Sequence, residues 1–285
     1  MALDTWRKIV DARLDGQSLY RTWRKTPTQV TTIGIWFDLS MSPGNPSPNY
    51  YASSPMIAAA MSRSNNGGMD HGGNVSPLQK VLRHIMIMSQ TAGAVTQPLI
   101  LCDYLLYYPF VDESETAEQT FDNTVTLPRY TDGGGVQCMA VVVAGQSGGQ
   151  TFSIRYTNSE GVANRVSPAV LMTSQAINGT IINSARTSTR ASGPFIPLQA
   201  GDSGIRSIEG ITFGGPDVGL ITLVLVKPLF RFQLPEITAP VEIDPMKDFN
   251  VNPIIVDDAY LNLICMPAGS LSSAPLHGEI EVAWG

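Results

Sequence analysis

Apolar residues follow two different rhythms along this chain. Near the start, Trp6, Ile9, Val10 and Leu14 recur at helical spacing, which predicts a short helix over roughly Thr5 to Leu14, stopped by Gly16. The period then shortens to two. Between Ile33 and Leu39 the apolar residues Ile33, Ile35, Phe37 and Leu39 alternate, the pattern of a half-buried strand. Residues 40–75 lose both rhythms, and their four prolines and Gly-Gly pairs predict a long loop of the kind that tends to bind something. Ser76-Pro77 then opens a second helical stripe, Leu78, Val81, Leu82, Ile85 and Met86, predicting a helix near 76–90.

From Leu99 onward the pattern is strand after strand: 99–108, 136–144, 152–156, 205–213, 220–227, 261–266 and 280–284. The connections GQSGGQ and GGPDVG predict two hairpins, 136–144 with 152–156 and 205–213 with 220–227. Many short strands with few helices argue for a mainly β, jelly-roll-like sandwich with an N-terminal arm. No fixed-period repeat or low-complexity linker divides the chain. The predicted organisation is a basic arm over residues 1–30 and one β-sandwich domain over 31–285 that carries the loop 40–75.

Composition supports a packed body. Hydrophobic residues make up 43% of the 285 positions and charged ones only 15%, which excludes a disordered chain. No apolar run approaches the ~20 residues of a membrane-crossing helix, so no membrane partner is expected. The opening MALDTWRKIVDARLDG mixes acids with bases and does not read as a secretory signal. Three cysteines, Cys102, Cys138 and Cys265, lie in apolar strand patterns and read as buried free thiols of a protein folded in a reducing cytoplasm.

Charge is divided unevenly. Residues 1–30 hold six bases against three acids, a balance of +3, so with the whole chain at −6 the remainder carries −9. A basic end on an acidic body can dock onto an acidic partner surface, with Trp6, Arg7, Arg13, Arg21, Trp23, Arg24 and Lys25 as the docking residues. The competing reading is a solvated helix face and a polar linker. Six interspersed bases would release few counterions, so no direct nucleic-acid contact is expected.

Candidate chemistry is sparse. Gly201-Asp202-Ser203-Gly204 looks like the nucleophile motif of trypsin-like serine proteases, which needs an upstream histidine oriented by a carboxylate. His71 and His84 both lack that family's Ala-Ala-His-Cys setting, so the tetrapeptide reads as a tight turn before a strand and no catalytic residue is assigned. Histidines and cysteines are scattered singly, and no calcium loop or phosphate cradle is present, so neither metal nor cofactor is expected. Asn49-Tyr50-Tyr51 and Tyr104 to Tyr108 could form an aromatic glycan-binding face.

Several phrases resemble head-surface structural proteins of tailed double-stranded DNA bacteriophages: MALDTWRKIVDARLDG, MDHGGNVSP (69–77), LPRYTDGGGVQCMAVV (127–142), FSIRYTNSEGVANR (152–165) and GPFIPLQAGDSGIRSI (193–208). The resemblance implies a non-enzymatic virion protein, assembled in the host cytoplasm and placed on the capsid surface as a decoration or cement protein. Its implied partners are the major capsid protein and further copies of itself, a trimer being the simplest fit to local three-fold positions. A tail- or fibre-associated module binding a receptor glycan is the alternative. The hydrolase is the third.

Overall fold

The computed structural model describes residues 3–89, 91, 96–174, 177–184 and 193–285. Its strands, in chain order, begin with β1 (Ser18–Lys25), β2 (Phe37–Asp38), β3 (Gly44–Asn45), β4 (Ala59–Ala60), β5 (Lys80–Ser89), β6 (Thr96–Asp112) and β7 (Gln119–Thr120). They continue with β8 (Gln137–Ala144), β9 (Thr151–Asn158), β10 (Arg165–Val166), β11 (Val170–Leu171) and β12 (Ile205–Phe213). The last are β13 (Leu220–Phe232), β14 (Val241–Ile243), β15 (Tyr260–Pro267) and β16 (Leu276–Trp284). Helices are few and short: α1 (Trp6–Leu14), α2 (Arg63–Asn66) and α3 (Pro245–Phe249). The body is mainly β and packed as a sandwich, as the pattern of the sequence predicts.

Among the described residues, three antiparallel sheets build it. A central sheet runs β2-β15-β6-β13-β8, with β4 on β6; a small sheet runs β10-β9-β12-β7, with β11 on β9; and a terminal sheet runs β14-β5-β16-β1-β3. The long strands β6 and β13 serve three cores. Leu106, Tyr108, Leu223 and Leu225 pack against Phe152, Ile154, Ile208 and Ile211 of the small sheet. Leu99, Leu101, Phe230 and Phe232 pack against Leu82, Ile87, Ile280 and Val282 of the terminal sheet. Because side chains alternate along a strand, Ile100, Cys102 and Tyr104 face away from Leu99 and Leu101. They form a third core with Trp36, Met41, Tyr51 and Met61, so the long loop is spent covering the central sheet. All three cysteines are free and buried, and burial pushes their thiols up from the ordinary range.

The structure corrects the sequence reading in four places. The segment predicted as a helix near 76–90 is strand β5, paired with β16 from Lys80 to Ser89. A β-bulge causes the misreading: His84 pairs with Glu281 but Leu82 pairs with the adjacent Val282, leaving Arg83 as the extra residue. The bulge brings Leu82 and Ile85 into one core, which mimics a helical i, i+3 spacing. Of the alternating stretch 33–39, only Phe37–Asp38 is strand.

Neither predicted hairpin forms. β8 pairs with β13 while β9 pairs with β12, so both Gly-rich connections carry the chain from one sheet to another. Asp217 ties the two crossings together, its carboxylate accepting the N–H groups of Ser147 (3.2 Å) and Gly148 (2.5 Å).

The fourth correction concerns the arm. β1 lies inside the terminal sheet, paired with β16 from Ser18 to Lys25 on one side and with β3 on the other. Residues 1–30 are therefore not a detached arm. Helix α1 does form, with the Thr5 hydroxyl accepting from the Lys8 N–H at its start and Gly16 at φ +74° beyond its end. Ile9 and Ala12 turn inward to pack with Leu3 on Val81 and Ala283 of the terminal sheet.

Candidate functional site

The seven predicted docking residues divide into two groups. Trp23 is buried in the core between the terminal and central sheets, opposite Gly278. A Cβ on Gly278 would stand 2.3 Å from the indole, so the small residue makes room for the large one. Lys25 is buried as well, its Nζ donating to the carbonyls of Ser42 (3.2 Å) and Pro46 (2.8 Å), and desolvation draws its pKa down to about 8. These two side chains hold the sheet and cannot touch a partner in the folded chain.

The other five remain at the surface. Arg21 meets Asp70 at 2.5 Å, Arg24 is exposed on β1 between His277 of β16 and Asn45 of β3, and Arg7 lies 4.0 Å from Asp11. Arg13 reaches 3.1 Å from the Glu281 carboxylate and donates to the Tyr20 hydroxyl at 3.2 Å. Trp6 is stacked on Arg83, the guanidinium carbon 4.4 Å from the ring centre, and Arg83 is in turn ion-paired with Asp244.

Of these contacts, the pairs Arg13–Glu281 and Arg83–Asp244 border a polar cleft of about 410 Å³ between α1, α3 and the terminal sheet, while Arg7, Arg21 and Arg24 lie outside it. Its floor is one row across three neighbouring strands, His84 beside Glu281 beside Tyr20. Glu242, Glu279, Lys247 and Asp248 form the rim. Glu281 is almost fully buried, and the Tyr20 phenol is pushed up, first by its own partial burial and then by that carboxylate. Five carboxylates face three bases and one histidine, with no Ser, Thr or Cys among the lining residues. The excess of carboxylates suits the cleft to a cationic or hydrogen-bonding group. Among the described residues no three His, Cys, Asp or Glu side chains converge on a metal-sized site.

The protease-like motif is absorbed into structure. Asp202 accepts from Arg165 Nε (2.9 Å), the Tyr156 hydroxyl (2.6 Å) and Asn158 Nδ2 (2.8 Å), and Arg165 first among them pulls its carboxyl down to about 2. The Ser203 hydroxyl shares a hydrogen bond with Ser159 at 3.1 Å. Gly201, at φ +92°, turns the chain into β12. His84 lies in the cleft described above, and His71 is buried against β5 and the turn before β15. The aromatic face proposed for glycans is interior too, since Tyr51, Tyr104, Tyr107 and Tyr108 are all buried and only Tyr50 is exposed.

Two arrangements escaped the sequence reading, the pairing of His71 with Lys80 and the row on the cleft floor. His71 donates through Nε2 to the Ala259 carbonyl (3.0 Å), while its Nδ1 accepts from the Lys80 ammonium (3.1 Å). Burial and the adjacent cation draw His71 down to about 4, so it is neutral. Lys80 also donates to Gly73 (2.7 Å) and stands 3.8 Å from Asp257, which pins the loop to the sheet. The cleft row was hidden because residues 80–89 looked helical. The alternation of Glu279 and Glu281 with Ile280 and Val282 was the available signal that this sheet has a charged outer side.

No protein-family model matches the sequence, and no curated protein matches it. Two solved structures align over most of the chain at low similarity. A structure of infectious bursal disease virus, Gt strain, is 9% identical, with 94% of this chain and 80% of that one covered and a TM-score of 0.19. The VP2 subviral particle of infectious bursal disease virus is 12% identical, with 93% and 80% covered and a TM-score of 0.16. At these scores the likeness carries no argument about fold or function.

Proposed function

We propose that this chain is a non-enzymatic structural protein of a virion, most specifically a decoration or cement protein on the head of a tailed bacteriophage. The observation that carries the reading is how the residues that look chemically active are used. Ser203, Asp202, His71 and Lys80 all hydrogen-bond within the fold, while the outward side of α1 carries apolar and charged side chains. Such a molecule is suited to contact rather than turnover. The sequence phrases shared in style with head-surface proteins point the same way, and the three cores give the rigidity that a particle surface demands. Trp6, Arg7, Arg13, Arg21 and Arg24 are the residues left to meet the major capsid protein, with Trp23 and Lys25 withdrawn into the body.

Quantitative mass spectrometry of gradient-purified particles, with heads and tails separated, tests this. The chain is expected in the head fraction at a fixed ratio to the major capsid protein. Its absence from particles would overturn the virion reading, and its confinement to tails would favour a fibre-associated module. Labelling of Ser203 by a fluorophosphonate, lost in Ser203→Ala, would overturn the non-enzymatic part.

A further inference from the structure

The polar cleft on the outer side of the terminal sheet holds more acceptor capacity than the fold uses. Five carboxylates and three bases line it, a formal balance of −2. Asp244 is ion-paired with Arg83, and Asp248 accepts the Asp244 N–H at 2.9 Å. Glu242 and Glu279 make no ion pair or hydrogen bond through their side chains among the described residues. Glu281 is the sharper case. Its side chain is 2% exposed, and its Oε1 accepts no hydrogen bond. Arg13 is its one ion-pair partner among the described residues, with Nε 3.1 Å away but out of hydrogen-bond alignment. On the neighbouring strand, His84 Nδ1 is buried and has no hydrogen-bond partner either. Buried polar atoms without partners are destabilising, so a ligand that brings donors gains by meeting them.

The spacing of these groups says what kind of cation fits. Glu279 and Glu281 are two apart on β16, so they share its outer side about 7 Å from each other along the strand. Glu242 pairs with Met86 and Met86 with Glu279, which sets the two glutamates two strands apart, about 10 Å. Among the described residues no three His, Cys, Asp or Glu converge on a metal-sized site, so a compact dication would meet these carboxylates one at a time. An extended chain with an ammonium at each end spans them, and each ammonium brings three donors. Tyr20, 48% exposed in the same cleft, adds a ring face that attracts a cation. We propose that the cleft binds a linear aliphatic polyamine, one ammonium held by Glu281 and His84 beside the Tyr20 ring and another by Glu279 and Glu242. The first displaces Arg13, a side chain 44% exposed that meets Glu281 by charge without a hydrogen bond. Two positive charges also match the cleft's balance of −2. The proposal does not depend on the virion reading.

Isothermal titration calorimetry on the full-length chain in low-salt buffer tests it, with putrescine as the probe. Magnesium ion carries the same charge without the length, and n-butylamine carries one ammonium without the second. One putrescine is expected to bind per chain, with each control at least tenfold weaker. Glu281→Gln and Glu279→Gln keep the side-chain shape, and each is expected to weaken putrescine at least fivefold with an unchanged circular-dichroism melt. Glu279 is only partly buried, so its variant decides the matter should Glu281→Gln melt early. Arg13→Ala is expected to bind more tightly than wild type, since the competing guanidinium is gone. Glu160→Gln, an exposed acid outside the cleft, is expected to bind as wild type does. The absence of saturable binding overturns the proposal, and so does magnesium binding as tightly as putrescine. Wild-type affinity in Glu279→Gln, an equal loss in Glu160→Gln, or weaker binding in Arg13→Ala overturns it as well. None of these outcomes bears on whether the chain is found in particles, so the two readings fail separately.

Discussion

Arg129 grips Asp103 through two parallel hydrogen bonds, Nε to Oδ2 at 2.8 Å and Nη2 to Oδ1 at 2.7 Å, with both side chains buried. The guanidinium comes from the segment before β8, and the carboxylate from the middle of β6. Arg129 also donates to the carbonyls of Tyr104 (2.9 Å) and Met61 (3.1 Å), and Asp103 also accepts the Tyr260 N–H (2.9 Å). One ion pair therefore joins the central sheet to the long loop and to the segment before β8. Burial pushes the Asp103 carboxyl up, and the Arg129 bonds act against that push.

Removing one partner of such a pair strands a buried charge. Arg129→Ala is expected to destabilise the fold by about 3–5 kcal/mol, whereas Arg129→Met combined with Asp103→Asn should recover much of the loss. Urea denaturation of wild type, Arg129→Met, Asp103→Asn and the double variant forms the cycle. A coupling energy below about 0.5 kcal/mol would show that the two residues act independently.

Glu113 is the reverse case, a buried carboxyl whose two oxygens have no hydrogen-bond partner among the described residues. Desolvation first, then the charges of Asp217 and Asp112 at the sheet crossing, raise it from the ordinary 4.5 to about 8. Between those two values the folded state holds a proton that the unfolded chain has released. Stability from this group is thus complete below about pH 4.5 and falls as pH rises toward about 8. Glu113→Gln should flatten that fall and give a higher melting temperature than wild type at pH 8. Melts at half-unit pH steps check this, and equal slopes for the two proteins would sink it.

His71 should titrate far from a normal histidine. Its Nδ1 faces the Lys80 ammonium, so protonation would set two cations 3.1 Å apart in a buried site. With a folded value near 4 against an ordinary 6.5, its contribution to stability is complete above pH 6.5 and is lost as pH falls toward 4. The imidazole Cε1–H resonance followed by NMR is expected to move with a midpoint near 4. A midpoint near 6.5 would mean that the Lys80 contact is not maintained.

The strands from 99 onward were legible in the sequence because their apolar runs are long, as at Leu99 to Tyr108, although β6 runs on through Pro109 to Asp112. What escaped was information about distance. GQSGGQ and GGPDVG have the composition of hairpin turns, but which sheet a strand joins depends on partners many residues away, such as β13 for β8. β1 was hidden because its sequence, SLYRTWRK, alternates only weakly, and its strongest inward residue besides Trp23 is the buried Lys25. The site was half legible. Trp6, Arg7 and Arg13 are at the surface as the charge split suggested, yet Arg83 against Trp6 and Glu281 against Arg13 lie beyond any local window.

The N-terminal segment offers the clearest contrast between covering and building. A chain beginning at residue 17 would lack α1 and uncover Val81 and Ala283, yet it would keep β1 paired with β16. It is expected to fold with a lowered melting temperature. A chain beginning at residue 31 would lose β1 from between β16 and β3 and take Trp23 out of the core. Truncating a buried Trp alone costs about 3–5 kcal/mol, a large part of the stability of an ordinary domain. Loss of the strand also leaves the β16 edge unpaired. The shorter protein should therefore show no cooperative melt and should aggregate. Circular-dichroism melts of the two truncations decide the matter. A cooperative transition at the wild-type temperature for the chain 31–285 would make β1 expendable and restore the detached-arm picture.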